Sequence, residues 1–96
     1  MVVAPYQEHR TNHITVRWFD EGCEASELVW HRDAENRVIR VVQGTGWKFQ
    51  FDNELPQPLD AGAIIYVAKD RYHRIIKGQG PLVVEIIEES ATLVQK

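Results

Sequence analysis

Cysteine is all but missing. Cys23 stands alone in 96 residues, which excludes an internal disulfide framework and suits a reducing, cytoplasmic setting. Long apolar runs are missing too: no stretch approaches the roughly 18–20 residues needed to cross a bilayer. Met1-Val2-Val3-Ala4-Pro5 lacks the charged start and apolar run of a secretion signal. No membrane partner is expected. Nor is charge of one sign in excess, since 11 basic residues face 14 acidic ones for a net charge of −3. The basic residues are scattered, with modest density only between Arg32 and Arg40, so a nucleic-acid partner is not expected either. No mid-chain segment is long enough for the helix of a βαβ unit. Gly44-Thr45-Gly46 runs into a strand pattern rather than a helix, which removes a phosphate-cradling loop.

What remains is the composition of an ordinary soluble domain, 44% hydrophobic and 26% charged. Residues 1–12 read as an N-terminal arm, either loosely ordered or laid along a neighbouring subunit, and 13–96 as one small domain. A chain of this size buries only about 60–70% of its unfolded surface. Oligomerisation or a bound metal is therefore a plausible source of added stability.

The chain is dominated by short β patterns. His13 to Phe19 is rich in β-branched and aromatic residues, with Ile14, Val16 and Trp18 on one face. Ser26 to Asp33 alternates as a strand, although Glu27 and Leu28 also suit a helix. Arg37 to Gln43 and Trp47 to Phe51, separated by a glycine-containing turn, read as a hairpin. Pro56 and Pro58 bar a helix in the next loop. Ala63 to Val67, Tyr72 to Lys77 and Leu82 to Ile87 complete a set of about seven strands, with a tight turn at Gly78 to Pro81. The tail from Glu88 to Lys96 fits a short helix or a further strand. Many short strands with turn chemistry between them predict an all-β sandwich or barrel.

The chemistry gathers at His31 and Asp33. Residues two apart on a strand share a face, so an imidazole and a carboxylate project together, and His73 supplies another imidazole. Each histidine alone reads equally well as a hydrogen-bonded packing residue. Arg37 either pairs with Asp33 or clamps an anionic ligand through its planar fork. Trp47 and Tyr66 are candidates to line a ligand pocket, although a stripe such as Trp47, Phe49 and Phe51 is core by default. Glu35 reads as a solvated loop residue, with a minor alternative as an extra carboxylate. Cys23 lies beside Glu21 and Glu24, which disfavours a thiolate. His9 and His13 receive no role.

From about residue 26 to 88 the layout resembles the cupins, which are double-stranded β-helix jelly rolls. His31, Asp33, Arg37 and Gly44 fall on the first cupin motif, keeping its first histidine and its glycine. Aspartate replaces the second histidine and arginine replaces the glutamate. Gly62, Ala68, Asp70, His73 and Lys77 fall on the second motif, keeping its glycine and histidine. The resemblance implies a cupin-like jelly roll and a metal site reduced to His31, Asp33 and His73. That set matches the two-histidine, one-carboxylate triad of non-haem iron oxygenases.

Two functional expectations follow from the resemblance. In one, His31, Asp33 and His73 hold iron, manganese, nickel or zinc in the barrel mouth, and Arg37 orients a small anionic ligand for dioxygenase- or isomerase-type chemistry. In the other, the chain is a non-catalytic binding or structural module whose former metal site is filled by Asp33 and Arg37. Either way a homodimer is expected.

Overall fold

The computed structural model describes residues 6–11, 13–20, 22 and 28–89. Cys23, the start of the strand expected at Ser26, and the tail beyond Glu89 lie outside the described residues. Eight strands are present among them: β1 (Tyr6–Thr11), β2 (Ile14–Phe19), β3 (Asn36–Thr45), β4 (Lys48–Phe51), β5 (Gln57–Pro58), β6 (Ile64–Val67), β7 (His73–Ile76) and β8 (Gln79–Glu89). No helix among the described residues is long and apolar enough to cross a membrane.

The strands form two antiparallel sheets, one ordered β1-β2-β8-β3-β6 and the other β5-β4-β7. Their inner faces meet in one core, as two half-apolar sheets must if each is to bury its apolar side. Phe19, Ile39, Val41, Ile65, Leu82, Val84 and Ile86 come from the larger sheet, and Phe49 and Phe51 from the smaller. Trp47, at the crossing between the sheets, is fully buried. Its indole N–H donates to the carbonyls of Gln79 (3.3 Å) and Gly80 (3.1 Å), so burying the ring leaves no unpaired donor.

Four expectations are corrected. Residues 6–11 of the expected arm form β1, which pairs with β2 in register from Tyr6–Phe19 to Thr11–Ile14. The expected hairpin between 37–43 and 47–51 does not form. β3 is flanked by β6 and β8, while β4 pairs with β5 and β7. The glycine-containing segment is a corner between sheets: the register of β3 shifts at Val41–Gln43 and Gln43–Thr45, and Gly46 adopts φ 73°. The chain crosses back at Gly78, not in the expected tight turn, because Gln79 to Pro81 already belong to β8. At Gly78 a Cβ would stand 2.3 Å from the Trp47 nitrogen and 2.4 Å from the Gly46 carbonyl carbon. Only glycine fits where the two crossings touch.

The fourth correction concerns Ser26 to Asp33. Its described part, from Leu28 onward, is irregular except for one antiparallel bridge between His31 and His73. That bridge positions the candidate site.

Candidate metal centre

His31 and His73 exchange both backbone hydrogen bonds, N–H to C=O, at 3.0 and 2.9 Å. The amide of Asp70 donates to the Asp33 carbonyl at 2.7 Å, and the amide of Lys69 to the Asn36 side-chain oxygen at 2.8 Å. Four bonds thus fasten the 31–36 segment to the loop that leads into β7. Residues far apart in sequence are brought side by side by backbone alone. Although no strand forms at 28–33, His31 and Asp33 still project to the same side. Across the bridge, Arg74 lies over the Trp30 ring at 4.7 Å and Arg32 lies near the Tyr72 ring at 5.4 Å.

The three side chains converge. One ligand atom each from His31, Asp33 and His73 lies within 4.8 Å of the others. Asp33 Oδ2 is 3.3 Å from His73 Nε2. His73 is 3% exposed and stacks on Phe49 at 5.2 Å and 15°, which fixes its ring plane. His31 is exposed and meets His73 edge-on at 4.4 Å. The Nδ1 atom of His31 lies 2.9 Å from the Val29 carbonyl, and that of His73 lies 2.8 Å from the Arg71 carbonyl. A carbonyl only accepts, so each Nδ1 is the donor and the neutral ring keeps its lone pair on Nε2. This is the outer-shell arrangement that orients histidine ligands in metal sites.

The donor set fits an ion in chemistry and nearly in spacing. Bonds of about 2.1 Å set adjacent ligand atoms about 3.0–3.4 Å apart, and the Asp33–His73 separation falls in that range. The wider spread, 4.8 Å across the set, means that the His31 ring must close by about 1.5 Å to complete it, and its exposure leaves it room.

Arg37, at the second position of β3, extends to both carboxylates. NH2 is 2.9 Å from Glu88 Oε2, and NH1 is 3.4 Å from Asp33 Oδ1. Its shorter contact is therefore with Glu88, while Nε is buried without a hydrogen-bond partner. With the two rings protonated, as without a metal they can be, the Asp33 carboxyl is held below its ordinary range, first by the hydrogen bond that His73 Nε2–H donates to it and then by the charges of Arg37, His73 and His31. Partial burial opposes them. Asp33 stays an anion ready to accept a cation.

Behind the triad lies a cavity of about 40 Å³, lined by His31, Asp33, Arg37 and His73 and by Arg17, Phe19, Phe49, Leu59 and other core side chains. Trp47 and Tyr66 do not line it. Trp47 is 0% exposed and belongs to the core, whereas Tyr66 is 53% exposed on the outer side of β6, where Ile65 and Val67 take the inner positions. Glu35 does not reach the cavity.

Two contributors were not legible at this site from sequence. Arg17 lines the cavity from β2 and pairs with Glu8 of β1. Glu88 holds Arg37 from β8. A signal existed for Arg17, whose strand alternation puts it on the same face as Phe19.

No family model and no curated protein matches the chain. Solved structures do. The chain is similar to KdgF from a Halomonas species, with TM-score 0.72 and 17% identity over 99% of this chain and 90% of that one. It is also similar to a structure reported for the DMSP lyases RdDddP and RnDddQII, with TM-score 0.69 and 19% identity over 86% of this chain and 40% of that one. A cupin-like protein from Thermotoga maritima gives TM-score 0.66 and 16% identity over 85% and 59%. The chain thus spans less than two thirds of the latter two. The fold is the cupin jelly roll.

Proposed function

We propose that the chain binds a divalent metal ion through His31, Asp33 and His73 at the mouth of the barrel, with coordination positions left open for a small anionic ligand. The observation that carries this reading is the placement of the donors: both Nδ1 atoms are tied to backbone carbonyls, His73 Nε2 lies 3.3 Å from Asp33, and one ligand atom from each of the three residues lies within 4.8 Å of the others. Two neutral imidazoles and one carboxylate suit iron, manganese, nickel or zinc. A bound ion would supply Lewis-acid polarisation of a ligand oxygen. The chain's own residues do the rest. His73 is locked by Phe49, Asp33 by the Asp70 amide, and the apolar cavity wall limits water around the open positions.

Charge supports an anionic ligand. Asp33 and Glu88 outweigh Arg37 by one negative charge, and the Arg17–Glu8 pair is neutral. A divalent ion reverses that balance to one positive charge, which a monoanion neutralises. A water takes about 10–15 Å³ in the same measure, so a cavity near 40 Å³ admits only a few heavy atoms of the ligand beyond the mouth. Several neighbours of this fold are enzymes by name, including lyases, and a reaction of a small metal-bound anion is the activity this site suits.

One observation favours a metal-free module instead: Arg37 lies within 3.4 Å of Asp33, the distance of a weak ion pair. Elemental analysis of protein prepared without an affinity tag, followed by titration with iron(II) and zinc, separates the two readings. Stoichiometric metal that is lost in a His31→Ala, His73→Ala variant is expected. Metal content unchanged by that double substitution refutes the metal site, and no binding at micromolar metal leaves the module reading in its place.

A further inference from the structure

The bridge between His31 and His73 has a second side. Both imidazoles turn toward Asp33, so their neighbours Trp30, Arg32, Tyr72 and Arg74 project the opposite way. Antiparallel register continues into β4 and sets out two rows: Trp30, Arg74 and Gln50, then Arg32, Tyr72 and Asp52. Arg74 lies over the Trp30 ring at 4.7 Å, and its Nε donates to Gln50 Oε1 at 2.9 Å. Arg32 lies 5.4 Å from the Tyr72 ring centre, and the Asp52 amide donates to the Tyr72 carbonyl at 3.0 Å. Trp30, Asp52 and Tyr72 line an open pocket of about 280 Å³. It shares no lining residue with the cavity behind the triad.

Three kinds of group meet here. Trp30 and Tyr72 remain 41% and 45% exposed, which leaves aromatic surface for a flat ring to stack on. Among the described residues neither Arg32 nor Arg74 has an acidic partner. A guanidinium resting on a ring still presents N–H donors at its edge, in the fork that suits phosphate. Two such cations against the single carboxylate of Asp52 leave the face positive, so an anion complements it. Asp52, a pure acceptor when ionised, selects a ring edge that carries adjacent N–H donors. Guanine has such an edge, with N–H groups at N1 and N2, whereas adenine sets one donor beside an acceptor. The chain's net charge of −3 opposes a long polyanion, which favours a single small anion.

We infer that this pocket binds a guanine nucleoside monophosphate. The base stacks on Trp30 and Tyr72, the Asp52 carboxylate accepts from its N1–H and N2–H, and Arg32 and Arg74 donate to the phosphate. The inference is independent of metal binding, because the two sites lie on opposite sides of the bridge.

The test is calorimetric titration of the full chain with guanosine monophosphate, in the presence of a chelator so that no metal offers the phosphate another site. One nucleotide per chain is expected, bound at least about tenfold more tightly than either guanosine or adenosine monophosphate. Trp30→Ala is expected to weaken binding by about 5- to 150-fold, the loss of one stacking ring, while Trp30→Phe retains most of it. Arg32→Gln should narrow the preference over guanosine, and Asp52→Ala should abolish the preference over adenosine monophosphate. Both residues are exposed, so these two variants decide the matter if Trp30→Ala does not fold, which circular dichroism shows. No binding at millimolar nucleotide overturns the proposal, as do equal affinities for the three compounds or undiminished binding by folded Trp30→Ala. A single-stranded oligonucleotide of mixed sequence bound more tightly than the mononucleotide also overturns it and gives the face to nucleic acid.

Discussion

The rival claims of a metal and of Arg37 on Asp33 make opposite demands on two substitutions. If Asp33 is a ligand, Asp33→Asn removes the only anionic donor of the triad and metal affinity collapses. Arg37→Met then acts in the other direction. The guanidinium lies 3.4 Å from the Asp33 oxygen that faces away from His73, which places it about 5.5 Å from an ion on the other oxygen; even at the dielectric of water, that repulsion is about 1.5 kcal/mol. Removing it tightens metal binding by at least about tenfold, and more where the partly buried site screens less than water. The same substitution leaves Glu88 without its partner. These side chains are only partly buried, so the stability cost falls between the ~1 kcal/mol of an exposed pair and the 3–5 kcal/mol of a fully buried one. Zinc affinity measured in competition with a chromophoric chelator, alongside urea unfolding of the metal-free proteins, separates the two effects. Asp33→Asn binding as tightly as wild type, or Arg37→Met binding no tighter, would refute the reasoning.

Acid should weaken the fold partly through Asp33. Its carboxyl titrates below the usual range in the folded state, so its contribution is complete above the unfolded value of about 3.9 and is lost as pH falls through the folded value. Urea unfolding between pH 5 and pH 2 should therefore show a shallower loss for Asp33→Asn than for wild type; equal slopes would contradict this. Gly78→Ala forces a methyl to within 2.5 Å of three backbone atoms of the sheet corner. Overpacking of this kind costs about 3 kcal/mol or more, or a melting point lowered by at least about 12 °C, and a loss under 1 kcal/mol would show that the corner yields. Phe49→Ala should cost about 3–5 kcal/mol and also weaken metal binding, because the ring is 1% exposed and carries the stacked face of His73. Stability loss with undiminished metal affinity in the folded variant would separate the two roles.

Most strands and the three converging residues His31, Asp33 and His73 could be read from the sequence, because period-two alternation and turn residues are local signals. The pairing of strands could not. Gly44-Thr45-Gly46 carries the same residues that make a hairpin, yet here it turns the chain from one sheet to the other. What decides is that Ile39 and Val41 face Phe49 and Phe51 across the core, which is a long-range fact. The site shows the same division. His31 and Asp33 are two apart and His73 falls on a recognisable motif position, but the partner that occupies Arg37 is Glu88, at the end of a strand whose expected limit was Ile87. Tyr66 illustrates the same limit: Val67 beside it is fully buried, so alternation along β6 turns the phenol outward, away from the cavity.

β2 ties these threads together. Its alternation separates Ile14, Val16 and Trp18 from Thr15, Arg17 and Phe19, and burial alone would send the first set inward. The structure does the reverse: Thr15 and Phe19 are buried, Arg17 lines the cavity, and Ile14 and Trp18 face out. The inner face of β2 therefore brings a guanidinium paired with Glu8 to the cavity wall, while the outer face carries the indole. If the proposed metal binds, Arg17→Leu is expected to lower metal-dependent anion binding, whereas Trp18→Arg, on the outer face, is expected to leave it unchanged. Anion affinity measured by calorimetry on each variant, with acetate as probe, would show whether the two faces are as separable as the strand's alternation makes them; a loss in Trp18→Arg equal to that in Arg17→Leu would refute it.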